Sequence, residues 1–87
     1  MTLSPLESKL LDAVHTTAMA GEFYVLPLDD ANRKLMASRI AAALQPVTEI
    51  ELLTVNVEMS SPGEIDVQIV YRTADNLRRQ MRIRLPE

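Results

Sequence analysis

The hydrophobic pattern of this chain changes its period once, near Ile50. Before that residue, apolar positions recur every three or four residues, as along one face of an α-helix; after it, apolar and polar residues alternate, as along a half-buried β-strand. A chain of 87 residues has room for one domain with a thin core. The pattern therefore predicts a single α+β domain over residues 1–87, with two N-terminal helices packed on a three-stranded antiparallel meander.

The first helix is predicted from Pro5 to Ala20. Ser4 and Glu7 have the spacing of a capping box, and Pro5 suits the first helical position, where a missing N–H costs no hydrogen bond. Gly21 is expected to end the helix in a left-handed conformation. The inward stripe consists of Leu6, Leu10, Leu11, Val14 and Ala18.

A second helix is predicted to run to Leu44, with Asp29 or Asp30 as its cap and Pro46 beyond its end. Its apolar face consists of Leu35, Met36, Ile40, Ala43 and Leu44. Between the helices, residues 22–27 form a short apolar run that a proline ends. Such a run is too short for a helix and favours an extended connector or a short extra edge strand.

Three strands are predicted after Ile50, separated by turns at residues 60–63 and 73–76. The apolar side of the first strand is Leu53, Val55, Val57 and Met59, that of the second is Ile65, Val67, Ile69 and Tyr71, and that of the third is Leu77, Met81, Ile83 and Leu85. The alternation slips by one residue between Leu52 and Leu53. This slip predicts a β-bulge or a later start of the strand.

The sequence offers no set of residues suited to catalysis. There is no Cys for a disulfide or a thiolate metal site, and two glycines give no phosphate-binding loop. His15 lies one residue past the inward stripe, which is typical of an exposed or boundary histidine. Asp29 and Asp30 are explained as a helix cap rather than a metal-binding pair. We therefore predict a non-enzymatic protein without catalytic residues, bound metal, cofactor or small-molecule substrate.

Composition narrows the class of partner. No apolar run approaches the roughly 18 residues that span a bilayer, and nothing resembles a signal peptide, so we expect a soluble protein made in the cytoplasm without a membrane partner. One Phe, two Tyr and no Trp give few rings on which bases stack. A net charge of −3 also argues against binding a phosphate backbone. Nucleic acid is therefore not expected as a partner.

Four arginines stand out against this acidic background. Arg78, Arg82 and Arg84 share one face of the predicted third strand, and Arg72 is expected near them on the second. We call these four residues the arginine row. One interpretation is a solvated face balanced by acidic residues across the strands, Glu58 and Asp66. The other is a docking surface for an acidic partner, for which a protein is favoured over nucleic acid.

A three-stranded meander also has exposed edges, and such an edge can be extended by a strand from another chain. The predicted fold is thus suited to assembly with other protein subunits.

The order of elements and several segments together resemble the baseplate wedge, or sheath initiator, family of contractile phage tails, which has relatives in type VI secretion baseplates. The resemblance spans about residues 28–85. It is carried by LDD at 28–30 with IAAAL at 40–44, by IELLTVNV at 50–57, by EIDVQIVYR at 64–72 and by MRIRL at 81–85. Members of that family place a Glu-Pro-Arg motif between the helix and the first strand. In this chain, Val47, Thr48 and Glu49 follow Pro46 there, and the motif is absent.

The resemblance implies a structural subunit of a phage tail or baseplate, held by protein–protein contacts in a multi-copy assembly and located in the virion. The alternative is a small free-standing regulator or inhibitor that sequesters a protein target. Stoichiometry separates the two hypotheses. A structural subunit is expected in a multi-copy particle, whereas a regulator is expected one-to-one with its target.

Overall fold

The computed structural model describes residues 4–27, 29–61 and 64–85. Along the chain, the elements are α1 (Pro5–Ala20), a 3₁₀ turn (Phe23–Val25), α2 (Asp30–Leu44), β1 (Ile50–Ser61), β2 (Glu64–Thr73) and β3 (Arg78–Leu85). The strands form one antiparallel sheet in the order β1-β2-β3. The predicted α+β arrangement is confirmed, with both helices preceding the sheet. Of the first predicted turn, Pro62 and Gly63 lie outside the described residues.

Helix α1 begins with the predicted capping box. The Ser4 hydroxyl accepts a hydrogen bond from the Glu7 backbone N–H, and the Glu7 carboxylate accepts one from the Ser4 N–H, each at 3.1 Å. Pro5 occupies the start of the helix. The buried residues of the helix are Leu10, Val14 and Ala18, and Leu6 and Leu11 pack against them partly buried. The predicted bounds and inward stripe are both confirmed.

The segment after α1 corrects two predictions. It forms a 3₁₀ turn instead of an edge strand, and the left-handed residue is Glu22, with φ of 53°, while Gly21 has an ordinary φ of −88°. The turn buries the ring of Phe23 in the core. A Cβ atom on Gly21 would lie 2.6 Å from Cε1 of that ring. Gly21 is therefore needed for space, and the chain turns at Glu22 because Phe23 must fold back against the helix end.

Helix α2 is capped by Asp29, whose carboxylate accepts a hydrogen bond from the Asn32 backbone N–H at 2.7 Å. Its buried residues follow one another at four-residue spacing and are Met36, Ile40 and Leu44. Leu35 was predicted to face inward but is largely exposed, because it lies about 100° around the helix from this stripe.

Strand β1 contains the predicted bulge. Leu52 lies opposite Tyr71 on β2, whereas Thr54 lies opposite Val70, so that Leu53 is the extra residue. Leu53 is exposed, which corrects its predicted inward position. The bulge restores the alternation on its far side, so the apolar residues of both halves of β1 face the helices.

One buried core joins the helices, the 3₁₀ turn and all three strands. Seven sheet residues of the predicted inward set are buried in it, namely Val57, Ile65, Val67, Ile69, Tyr71, Ile83 and Leu85, while Val55, Met59 and Met81 pack against it partly buried. Leu77 was predicted to face inward but is 52% exposed. It belongs to the turn before β3, where its carbonyl accepts the Thr73 N–H at 3.1 Å. The geometry of the turn, rather than the alternation along the strand, therefore determines where the Leu77 side chain points.

The two helices lie on the same face of the sheet. Helix α2 packs against β1, while α1 packs against α2 and reaches β3. Within the described ranges, neither helix is long and apolar enough to cross a membrane. The opposite face of the sheet is left without a covering element from these ranges.

Truncation of the central strand should destabilise the domain. Replacing Val67 or Ile69, both fully buried, with Ala should lower the free energy of unfolding by about 2–4 kcal/mol, because each change leaves a cavity in a small core. Chemical denaturation measures the change. Val25→Ala is the matched control, since Val25 is 75% exposed and should show almost no effect. Unchanged stability in both core variants would contradict the described packing.

Loss of the helix cap should also be measurable. Ser4→Ala removes the acceptor for the Glu7 N–H and should cost about 1 kcal/mol. Ser38→Ala is the control, because Ser38 is an exposed residue in the middle of α2 and caps nothing. Thermal and chemical unfolding of the two variants should diverge, and equal behaviour would show that the capping box contributes nothing.

Candidate protein interaction surface

The face of the sheet turned away from the helices carries a dense set of polar side chains. Because side chains alternate along each strand, every second residue of the sheet points to this outer face. The residues of the outer face are Glu51, Thr54, Asn56 and Glu58 from β1, Asp66, Gln68, Val70 and Arg72 from β2, and Arg78, Gln80, Arg82 and Arg84 from β3. All four members of the arginine row therefore lie on it.

The strand register divides the arginine row into two pairs. Arg72 lies directly opposite Arg78, at the end of the sheet where β2 turns into β3. Arg82 and Arg84 lie at the other end of β3, opposite Gln68 and Asp66. Four residues along a strand separate Arg78 from Arg82, which is roughly 13 Å. The sequence predicted the common face but not this division.

Asp66 balances the pair at one end. Its carboxylate accepts hydrogen bonds from Arg82 Nη2 at 3.0 Å and Arg82 Nε at 3.4 Å, and Arg84 Nε lies 3.9 Å away. The Asp66 side chain keeps only 16% of its exposure beneath these two guanidinium groups. This part of the outer face agrees with the interpretation of a balanced, solvated face.

Hydrogen bonding from Arg82 holds the pKa of the Asp66 carboxyl below its ordinary value of 3.8. Partial loss of solvation acts in the opposite direction, and the charges of Arg82 and Arg84 add to the lowering. The same hydrogen bond raises the pKa of Arg82. Asp66 therefore stays ionised to a lower pH than an unpaired aspartate would.

The pair at the other end is balanced less completely. Arg72 Nη1 donates to Glu51 Oε2 at 3.3 Å, across the strand pair. Arg78 makes no ion pair with any carboxylate of the described residues, and its cross-strand neighbour is another arginine. Like charges directly opposite one another are unfavourable. Arg78 is thus the member of the arginine row that has most to gain from an external carboxylate.

The acidic residues of the face agree only in part with expectation. Glu58 was predicted to balance the arginines; it forms no close ion pair within the described ranges, but its charge contributes at longer range to the raised pKa of Arg82. Glu51, which the sequence reasoning missed, holds Arg72 instead. The bulge at Leu53 places Glu51 on the outer face, so the phase slip in the sequence was the signal that could have identified it.

Arg79 is the remaining arginine of β3 and lies on the opposite face, across from Tyr71. It forms an ion pair of 3.8 Å with Asp75 in the preceding turn. Arg79 is therefore separate from the arginine row although it is adjacent to Arg78 in sequence.

The other polar residues singled out from the sequence have local roles. Asp29 caps α2, and Asp30 pairs with Arg33 and Lys34 on the same helix. His15 is half-buried on α1. No three His, Asp or Glu side chains among the described residues are grouped so as to hold a metal ion.

The sheet has two free edges as well as an outer face. Strand β2 is paired on both sides, so β1 and β3 each have one side without a partner strand in the part of the chain that the structure describes. Backbone N–H and C=O groups along such edges can pair with a strand of another chain.

Comparisons with protein-family models, curated protein sequences and solved structures find no match to this chain. The resemblance to the baseplate wedge family therefore remains a prediction that rests on the segments quoted above.

The Asp66 ion pair predicts a specific pH dependence of stability. Because the pKa of Asp66 is lower in the folded state than in the unfolded state, the unfolded chain binds more protons in acid and stability rises with pH. The contribution is complete above the ordinary pKa of 3.8 and is lost as the pH falls through the lowered value. Asp66→Asn should therefore make the acid loss of stability shallower than in the native chain.

Denaturation curves between about pH 2 and pH 6 measure this effect. Glu64→Gln is the matched control, because Glu64 lies on the same strand and forms no ion pair within the described ranges. Parallel pH profiles for the native chain and Asp66→Asn would contradict the role assigned to the pair.

Proposed function

We propose that this domain is a non-enzymatic structural subunit that works by binding other proteins in a multi-copy assembly of the phage tail or baseplate type. The observation that carries the proposal is Arg78, a cation without an ion-pair partner in the described chain, beside Arg72 on an uncovered sheet face. An acidic protein surface would supply the missing carboxylates.

Guanidinium groups suit this purpose because they present several N–H donors in a planar fork that matches a carboxylate. Arg72 and Arg78 lie on neighbouring strands, so one acidic side chain of a partner can approach both. Burial of such a carboxylate would also relieve the repulsion between the two arginines. The charge arrangement thus favours an acidic protein partner despite the net charge of −3 of the whole chain.

The resemblance to the baseplate wedge family supplies the kind of assembly, and its segments fall on α2 and on the three strands. The three strands among these elements build the outer face and both free edges. Strand addition at an edge would join subunits through backbone hydrogen bonds, and the virion tail or baseplate would be the location.

A free-standing regulator that sequesters one protein target is the second candidate. The outer face alone would be sufficient for binding a single target. Free edges on both sides of the sheet instead favour a subunit with a neighbour on each side. Isolation of the tagged chain from its native source separates the two, because a subunit should be recovered in a multi-copy particle and a regulator in a one-to-one complex.

Arg78→Glu tests the binding role of the outer face. The variant should fold normally, because Arg78 is exposed and forms no ion pair with the described residues, yet it should weaken incorporation into the particle about tenfold or more. Reversal of Arg82 is less informative, since a Glu there would face Asp66.

Arg79→Glu is the matched control, because it changes charge equally at the neighbouring residue but on the other face of the sheet. Circular dichroism checks folding, and quantitative co-purification measures incorporation. If the Arg78→Glu variant folds and assembles as well as the control, the arginine row is a solvated face and not a docking surface.

A further inference from the structure

We propose that copies of this chain join edge to edge, with β3 of one copy lying parallel to β1 of the next. The partner of the free edges is then a second copy of the same chain. This inference deepens the proposed function and rests on it, since it names one of the contacts within the multi-copy assembly.

The fold limits how two copies can extend one sheet with all helices on the same side. Within a domain, β1 and β3 run in the same direction, because each is antiparallel to β2. A twofold axis normal to the sheet would pair like edges, β3 with β3 or β1 with β1, in antiparallel fashion. A copy that is instead shifted sideways across the strands, in the same orientation, places its β1 parallel to the β3 of its neighbour.

Charge disfavours pairing of β3 with itself. In an antiparallel β3 pair aligned end to end, Arg78 lies opposite Arg84, and Arg82 lies opposite Gln80. Every charged residue that β3 presents on the outer face is an arginine, so no register supplies an acidic neighbour from the second β3. Like charges directly opposite across strands are destabilising.

Pairing of β1 with itself lacks cations. The charged outer-face residues of β1 are Glu51 and Glu58, and the bulge at Leu53 interrupts the edge between them. No register of two β1 strands therefore supplies a cation on the outer face, and like charges directly opposite across strands are destabilising.

Pairing of β3 with the β1 of a following copy is complementary in charge at both ends of the strand. In each domain, one transverse row of the outer face runs Glu51, Arg72, Arg78, and another runs Glu58, Asp66, Arg84. If the next copy continues these rows without a shift along the strands, its Glu51 lies beside Arg78 and its Glu58 lies beside Arg84.

This continuation supplies close partners for the two charged residues of the outer face that form no ion pair within the described ranges. Arg78 gains the carboxylate of Glu51, which would then lie between two arginines as Asp66 already does. Glu58 gains Arg84, which reaches Asp66 only at 3.9 Å. The excess positive charge on the β3 edge thus matches the excess negative charge on the β1 edge.

Such a contact is heterologous, because different surfaces of the two copies meet, and it produces a ring or an open array rather than a closed dimer. Each added strand also rotates the sheet by roughly 20–25°. The expected product is therefore a curved or helical series of copies.

Sedimentation of the purified full chain over a range of concentrations tests the proposal. The weight-average mass should rise with concentration, continue past the dimer and fall when salt is raised, because the contact depends on exposed charge pairs. The double variants Arg78→Glu with Arg84→Glu, and Glu51→Lys with Glu58→Lys, should each remain monomeric at concentrations where the native chain associates.

An equimolar mixture of the two double variants should associate again, since the reversed β3 of one meets the reversed β1 of the other. The chain that carries all four reversals should likewise recover self-association. Arg79→Glu should associate as the native chain does. Recovery in the mixture separates loss of complementarity from misfolding, which circular dichroism also checks.

A native chain that stays monomeric throughout, a closed dimer that edge reversal leaves intact, or a mixture that remains monomeric would each overturn the edge pairing. The proposed function has a separate outcome. If the chain is monomeric alone yet enters a multi-copy particle, the proposed function stands and the edge pairing falls. If copies associate through their edges yet the native complex is one-to-one, the edge pairing stands and the proposed function falls.

Discussion

Burial of the inner face of β2 is the interaction on which the rest of the structure depends. Ile65, Val67, Ile69 and Tyr71 are all buried, and β2 is the strand that pairs on both sides. In a domain of this size, few other apolar contacts are available to offset the entropy lost on folding. The core thereby fixes the register of all three strands, and the residues of the outer face must take the neighbours that this register assigns. Arg72 and Arg78 are opposite one another for that reason, although their charges repel.

The outer face thus contributes little to stability, and under the proposed function it would serve recognition. Its ion pairs lie at the sheet surface, and pairs of this kind typically contribute about 0–1 kcal/mol. The two ends nevertheless differ in what they offer a partner. At one end Asp66 already occupies the guanidinium donors of Arg82, whereas at the other end the donors of Arg78 face solvent. Under the proposed function, specificity for an acidic surface would therefore be concentrated near the turn between β2 and β3.

Local features of the sequence were sufficient for most of the fold. The capping box fixed the start of α1, and the change of period separated helices from strands. The slip at Leu53 located the bulge. The sequence failed where a specific short-range contact overrides the periodic pattern: the Phe23 ring folds against Gly21, and the Thr73 backbone N–H donates to the Leu77 carbonyl. For the candidate site, alternation placed the arginine row on one face, but its division into two pairs depends on cross-strand register, which periodicity alone does not specify.

The contact between Gly21 and Phe23 has a consequence for which residues these positions tolerate. At most helix ends, Asn can replace a terminal glycine because it accepts left-handed backbone. Here that substitution meets the same obstacle as alanine, because a Cβ atom on the Gly21 backbone would lie 2.6 Å from Cε1 of the Phe23 ring. The adjoining Glu22 is the reverse case. Its side chain is exposed and its backbone is left-handed, so glycine there would relieve strain without disturbing a contact. The residues tolerated at these two neighbouring positions thus have different limits. At Gly21 the limit is the volume of the side chain, and at Glu22 it is the left-handed backbone, which L-amino acids other than glycine adopt at a cost.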